Sequence, residues 1–305
     1  MHLKYLEYFL ALARERHFAR AAQACHVTQP TLSAGIVALE SAVGQQLVLR
    51  DRRFIDLTSQ GHAILPYVHE MVANYSDLRA VVDGLPGPLR GTVRLGAIPA
   101  AMPRVGALAA QITAGQPLLK ISVTSLTSRE IEQGFQQREL DAGLSYLTGE
   151  LPAQVDAIPL FHEHFLFATR RTAGLGARAA VSMAEAAGQR LCLLHEGMQN
   201  RRLLNAALAA RGLAVDPVAT ANSYVALFGM VCEGGLDAIV TDSHRALFGQ
   251  HPDIVLVPFS DPPPPNRIGL VTPLRTLVSP VTRAVMLAAR RLVIDKPDQT
   301  QERSI

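Results

Sequence analysis

Apolar positions near the start of the chain follow a three- and four-residue rhythm that breaks at definite places. Leu3, Leu6, Phe9, Leu10 and Ala13 predict a helix over residues 3–13, and Phe18, Ala21, Ala22 and Cys25 a second, shorter one with a narrow face of small side chains. The pattern stops at His26 and Val27. Thr28 then sits where an N-cap belongs and Pro30 falls in the first turn, where its missing N–H costs nothing. Along this third helix Leu32, Ile36, Leu39 and Val43 form the stripe expected to be buried, with Gly44 placed to end it. Its other side carries Pro30, Thr31, Ser33, Ala34, Val37 and Ser41, short side chains that let a helix sink into a DNA major groove or simply face solvent. Two short extended runs flanking a charged turn follow, clustering Arg50, Arg52 and Arg53 at one tip. That order predicts a winged helix-turn-helix over residues 1–58.

Beyond it, Ile64, Val68, Met71, Tyr75, Leu78 and Val82 alternate spacings of four and three, a heptad seam on one long helix over residues 59–84. A single stripe with no attached core needs a partner, so the helix is expected to pair two protomers, with a kink near Pro66. Glycines and prolines over residues 85–91 cannot continue it and mark a hinge. Short apolar runs then alternate with helical segments to about residue 294, which predicts α/β architecture with parallel sheets covered by helices. Strands are expected at residues 92–98, 118–123, 140–146, 164–169, 190–194, 215–220, 236–241 and 267–271. Helices are expected at 103–113, 128–137, 200–210, 224–232 and 281–292. Residues 295–305 read as a polar tail.

Composition narrows the class. At 305 residues, 49% hydrophobic and 18% charged, the chain is long enough for two or three packed domains. The first sixty residues hold seven Lys/Arg against five Asp/Glu, so the case for nucleic acid rests on clustering rather than on net charge. An amphipathic start bearing Lys4 and Glu7, and no apolar run of membrane-spanning length, lead us to expect a cytoplasmic protein without membrane contact. Cys25, Cys192 and Cys232 match neither a disulfide framework nor a zinc pattern and are expected as buried thiols. His162 and His164 flank Glu163 as alternate residues of a strand, which places them on one face without making them a metal site. With no phosphate loop or nucleophile elbow, neither an enzyme nor a cofactor is expected. A solute-binding protein is a poor reading, because it would lack the first 90 residues.

Phe18, Ala21-Ala22, Val27-Thr28-Gln29-Pro30, Leu32-Ser33, Leu39-Glu40, Leu47, Arg50, Arg53 and Leu57-Thr58 together resemble the DNA-binding domain of LysR-type transcriptional regulators. The resemblance implies base-edge and phosphate contacts from Gln29, Pro30, Thr31 and Ser33, and phosphate contacts from Arg50 and Arg53. It extends through the dimerisation helix and implies a two-lobed effector domain similar to periplasmic binding proteins. Lobe I would hold residues 92–161 and 267–294 and lobe II residues 162–266, with crossovers near residues 159–162 and 261–265. The implied partners are double-stranded promoter DNA, a small effector, RNA polymerase, and further copies of the chain as a homodimer or homotetramer. One departure stands out: where relatives often carry arginine or glutamine after Ser33, this chain has Ala34 and Gly35, and a helical glycine demands either a close backbone approach or a weaker helix, by about 1 kcal/mol.

In open α/β sheets ligands sit at the carboxyl ends of strands, near helix N-termini. Three such places are Ile98-Pro99-Ala100-Ala101; Thr127-Ser128, with Ser128 expected as an N-cap; and residues 195–200 with Asn222 and Ser223. The effector contacts expected there are Ile98, Pro99, Ala100, Ala101, Thr127, Ser128, Gln199 and Asn222. Small apolar residues in the first loop favour a compact molecule held largely by backbone N–H groups, and helix N-termini favour an anion such as a small carboxylate. The effector lobes faintly resemble regulators associated with formate metabolism. The alternative is a thiol-based redox sensor using Cys192 and Cys232.

Overall fold

The computed structural model describes residues 2–51, 53–83, 89–148, 155–274 and 278–294. The chain divides into two compact units, one of residues 1–87 together with 136–139, the other of residues 88–135 and 140–305. The hinge expected over residues 85–91 lies largely outside the described residues, as does the polar tail.

The first unit is built from α1 (Leu3–Glu15), α2 (Phe18–Ala24), α3 (Gln29–Val43), the hairpin β1 (Val48–Asp51) and β2 (Arg53–Leu57), and α4 (Ser59–Asp83). Leu6, Phe9 and Leu12 of α1, Ala21 and Ala22 of α2, and Leu32, Ile36 and Leu39 of α3 close one core with Leu47, Val48 and Leu57 of the hairpin. His26 adopts a left-handed conformation between α2 and α3, and Thr28 caps α3 by accepting from the Thr31 amide. Gly44 ends α3 at φ 73°, a conformation glycine adopts without steric cost. Val43 departs from the expected stripe and is exposed, since that terminal turn projects past the three-helix core. Glu40 fixes where the hairpin starts: its carboxylate accepts from the amides of Leu47 and Val48 at 3.0 and 3.1 Å.

Gly35 shows why this helix carries a glycine. A Cβ there would fall 2.5 Å from the Tyr8 ring and 3.0 Å from Tyr5, so α3 packs its backbone directly on α1. Of the two costs the sequence left open, close approach is the one that applies.

Helix α4 runs unbroken through Pro66. Ile64, Leu65, Val68 and Val72 pack on the core of this unit. Met71, Tyr75, Leu78 and Val82, the C-terminal part of the heptad stripe, are exposed by 43–61%.

The second unit contains two five-stranded sheets. Lobe I has the order β4-β3-β5-β12-β6, from β3 (Gly91–Ala97), β4 (Leu119–Ser125), β5 (Ala142–Tyr146), β6 (Val155–Glu163) and β12 (Asn266–Pro273). Lobe II has the order β11-β7-β10-β8-β9, from β7 (Phe165–Arg170), β8 (Leu191–Leu194), β9 (Ala219–Ala221), β10 (Asp237–Thr241) and β11 (Ile254–Pro258). Helices α5 (Val105–Gly115), α6 (Ser128–Gln136) and α11 (Pro280–Ile294) belong to lobe I; α7 (Met183–Ala187), α8 (Gln199–Ala209), α9 (Tyr224–Cys232) and α10 (Arg245–Gly249) to lobe II.

The sheets are mixed rather than parallel. β12 runs antiparallel to both β5 and β6, and β7 runs antiparallel to both β10 and β11. Strands that carry the chain from one lobe to the other and back must run opposite to the local βαβ units, which alternation along the sequence does not reveal. Four elements are unforeseen: β6, α7, α10 and β11. Because β6 continues to Glu163, the first crossover lies at His164 rather than at residues 159–162, while the second precedes Asn266. Glu163 and Asn266 face each other in register, so both crossing strands meet there.

Candidate functional site: a helix face and an interlobe cleft

Two places concentrate the sequence-predicted residues. On α3, Gln29, Pro30 and Thr31 are exposed with Ala34 and Val37, while Ser33 is half-buried. The result is a low-relief helix face of small and polar groups, open along its N-terminal half. Arg50 and Arg53 belong to β1 and β2 of the hairpin; their side chains lie outside the described residues.

The other place lies between the lobes of the second unit, where Ile98, Pro99, Ala100, Thr127, Ser128 and Gln199 line one cleft with Tyr146, Leu194, Met198 and Asn200. Six of the eight expected effector contacts therefore converge. Ala101 is fully buried outside that lining, and Asn222 is exposed, so neither joins it. Tyr146 and Leu194 went unforeseen because apolar and aromatic residues at strand ends read as core, while Met198 and Asn200 fall within the 195–200 stretch expected to face the site. The cleft encloses about 10 Å³, about the room needed for one water.

The helix cap here is Thr127, not Ser128. Thr127 Oγ1 accepts from the Glu130 amide at 3.2 Å, and the Glu130 carboxylate accepts from the Thr127 amide at 2.7 Å, a reciprocal capping box. This leaves the Ser128 hydroxyl to face the other lobe. It donates to Gln199 Oε1 at 2.5 Å and accepts from Ser145 Oγ at 3.1 Å, and Gln199 Nε2 donates in turn to the Thr148 carbonyl at 3.1 Å. The polar side chains of the lining are thus hydroxyls and amides. Arg201, almost fully buried beside them, is committed elsewhere: it donates to the Leu194 carbonyl and to Asn205, and pairs with Glu196. Among the described residues no Lys, Arg or His lines the cleft.

Behind the cleft lies a buried polar chain. Asn200 Nδ2 donates to Tyr146 Oη at 2.8 Å, and Tyr146 donates to Glu163 Oε2 at 2.7 Å. Ser243 Oγ lies 2.9 Å from the Ala100 carbonyl, 3.3 Å from Glu163 Oε1 and 3.0 Å from Thr241 Oγ1. His244 Nδ1 lies 3.1 Å from Thr241 Oγ1, and its ring stacks on Tyr224 at 3.7 Å. Burial pushes Glu163 up to about 7, against hydrogen bonds that favour the carboxylate, and pushes His244 down to about 4.

None of the cysteines lines the cleft. Cys192 is fully buried on β8, where desolvation pushes its thiol up to about 11. Cys232 ends α9 half-buried, its thiol also raised by desolvation. Among the described residues no cluster of His, Cys, Asp and Glu is arranged to hold a metal, and no helix is long and apolar enough to cross a membrane.

Residues 3–62 match the family described as bacterial regulatory helix-turn-helix protein, lysR family, and residues 86–293 match the LysR substrate binding domain. The chain belongs to the LysR family. Members of this family are DNA-binding transcriptional regulators, and the two units described above are its DNA-binding and effector-binding parts. Its relatives include a probable hydrogen peroxide-inducible genes activator of Mycobacterium avium, 32% identical over 87% of this chain and 86% of that one. A full-length OxyR point variant from Pseudomonas aeruginosa superposes with a TM-score of 0.74 at 25% identity, covering 96% of this chain and 94% of that one. Full-length CbnR complexed with its target DNA shares the fold, with a TM-score of 0.70 at 20% identity over 96% and 100% of the two chains.

Proposed function

We propose that this LysR-family regulator responds to a small, compact effector bound between its two lobes, and that effector binding changes the spacing of paired DNA-binding heads. The observation that carries this reading is the Ser128–Gln199 contact. Thr127 takes over the capping of α6, so the Ser128 hydroxyl is spared for a bond that joins lobe I to lobe II at the strand ends. A ligand that inserts between these groups must shift the lobe equilibrium by as much as its affinity differs between the two arrangements. The closed cleft has room for about one water, so a ligand must part the Ser128–Gln199 contact to enter, and small carboxylates, formate among them, need the least opening.

On the DNA side, Gln29, Pro30, Thr31 and Ser33 of α3 would meet base edges and phosphates, and Arg50 and Arg53 of the hairpin the phosphate backbone. Pairing along the exposed stripe of α4 would present two such heads to an operator, with a tetramer and RNA polymerase as further partners of the assembly.

The test is thermal unfolding of the full chain against formate, acetate, inorganic anions, aromatic acids, amino acids and neutral polar molecules. A ligand of the folded state raises the melting temperature as its concentration exceeds Kd. Ser128→Ala is expected to reduce the affinity of the active ligand by tenfold or more, with operator binding measured in parallel. Equal loss of effector and operator binding would sink the assignment.

The peroxide-inducible relatives favour a second reading, a thiol sensor. Against it, burial leaves Cys192 almost wholly protonated at neutral pH, and the cleft contains no thiol among the described residues. Hydrogen peroxide that changes operator binding in the wild type, and no longer does so after Cys192→Ser or Cys232→Ser, would establish it.

A further inference from the structure

Glu163 is the most deeply buried carboxylate between the lobes, fully shielded from solvent, and no Lys or Arg pairs with it among the described residues. The groups facing it come from every neighbouring element. They are Tyr146 on β5, Asn266 opposite it on β12, Tyr224 on α9, Thr241 on β10, and Asp242, Ser243 and His244 on the turn after β10. The Asp242 carboxylate adds negative charge, and its partner is the exposed His164.

The hydrogen bonds around Glu163 can be traced donor by donor. Pro99 has no N–H, so its hydrogen bond with His244 runs from the ring N–H to the Pro99 carbonyl. His244 Nδ1 is then an acceptor, in reach of the Thr241 and Ser243 hydroxyls at 3.1 and 3.3 Å. Tyr146 gives its hydrogen to Glu163 Oε2 and accepts from Asn200, and the Thr241 hydroxyl also bonds the Glu163 carboxyl. Ser243 Oγ lies 2.9 Å from the Ala100 carbonyl and 3.3 Å from Glu163 Oε1, and its one hydrogen cannot serve both. With that hydrogen on Ala100, the nearer acceptor, a carboxylic acid at Glu163 can donate to Ser243 Oγ, whereas a carboxylate would be buried with no cation among the described residues to balance it.

Ala100, Tyr146 and Asn200 all line the cleft, so the protonated carboxyl lies one hydrogen bond behind its wall. We propose that Glu163 is the proton-binding member of the effector site, so that the cleft accepts a small anion together with one proton held at Glu163. The inference rests on the effector reading above and deepens it. With no cation in the described lining, a bound anion is tolerated only beside a neutral Glu163, since two buried carboxylates disfavour each other's ionisation. Burial pushes Glu163 up to about 7, in line with its lack of a cationic partner.

The experiment is isothermal calorimetry of the full-length protein with formate and acetate from pH 6 to 9. It is run in two buffers of different ionisation enthalpy, for the wild type and for Glu163→Gln, which preserves the shape and one donor. The expected wild-type result is uptake of about one proton per anion near pH 8, with affinity falling about tenfold per pH unit above 7. Glu163→Gln should bind with no uptake and with an affinity flat in pH. The infrared C=O band of a protonated acid should be present at pH 6, vanish with rising pH in the wild type, and be missing in Glu163→Gln. Anion binding without proton uptake in the wild type overturns the proposal and leaves the cleft standing. So does binding of neutral molecules alone, when that binding is sensitive to Ser128→Ala. Binding insensitive to Ser128→Ala, or none at all, removes the cleft reading and the proposal with it.

Discussion

Single residues in this protein are decided by what touches them rather than by their intrinsic preferences. Helix propensity alone would make Gly35→Ala stabilising by about 1 kcal/mol. The added Cβ would press on the Tyr8 and Tyr5 rings, and overpacking of that kind costs about 1–3 kcal/mol, so chemical denaturation should show Gly35→Ala less stable than the wild type. Glu163 and His244 give opposite pH signatures. The His244 contribution is present above 6.5 and lost as pH falls through about 4, because the unfolded chain binds the proton the folded one refuses. That of Glu163 is full below 4.5 and lost as pH rises through about 7. The stability difference between the wild type and Glu163→Gln should therefore decline from pH 4.5 to above 7, measured by denaturant titration at each pH. A difference that grows over this range would show that Glu163 is ionised throughout.

At the scale of elements, legibility followed periodicity. The rhythm in α1, α2 and α3, the Thr28 cap and the Gly44 stop locate the helix-turn-helix within a residue or two, because each signal acts through its immediate neighbours. β6 and β11 carry no comparable signal, since neither shows a clean alternation of buried and exposed positions. Helix α4 shows both limits: its stripe was readable, but only packing reveals that Val68 is buried within its own unit while Leu78 and Val82 are exposed. Dimerisation should therefore depend on the second half. Leu78→Glu is expected to raise the dimer dissociation constant by at least tenfold in analytical ultracentrifugation, with little change in the folding of the first unit. A dimer unaffected by Leu78→Glu would place the protomer interface elsewhere.

For the whole molecule, function depends on two surfaces built by different physics. The DNA face proposed on α3 and the hairpin would use charge and small side chains, so its contacts would scale with salt: if Arg50 meets a phosphate, Arg50→Ala should weaken binding to every sequence and flatten the salt slope by about 0.9. An unchanged slope would remove Arg50 from that role. The cleft uses buried hydrogen bonds between lobes, where an unpaired group is costly and an inserted ligand must replace each bond it breaks. The family resemblance pointed to both surfaces. It could not show that Thr127 caps α6 in place of Ser128, nor that Tyr146 and Leu194 line the cleft.

Local order in this chain was determined by the sequence itself. Hydrophobic spacing, caps and stop signals act over one or two turns, so they specify the helix-turn-helix, the seam of α4 and the alternation of strands and helices whatever lies farther away. Tertiary structure decided the rest: the antiparallel crossing strands, the crowding that requires Gly35, and the meeting of Ser128 with Gln199 and of Tyr146 with Glu163 and Asn200. Those partners lie 17 to 71 residues apart in the chain, and their pairing depends on which strands become neighbours and on the need to satisfy every buried polar group.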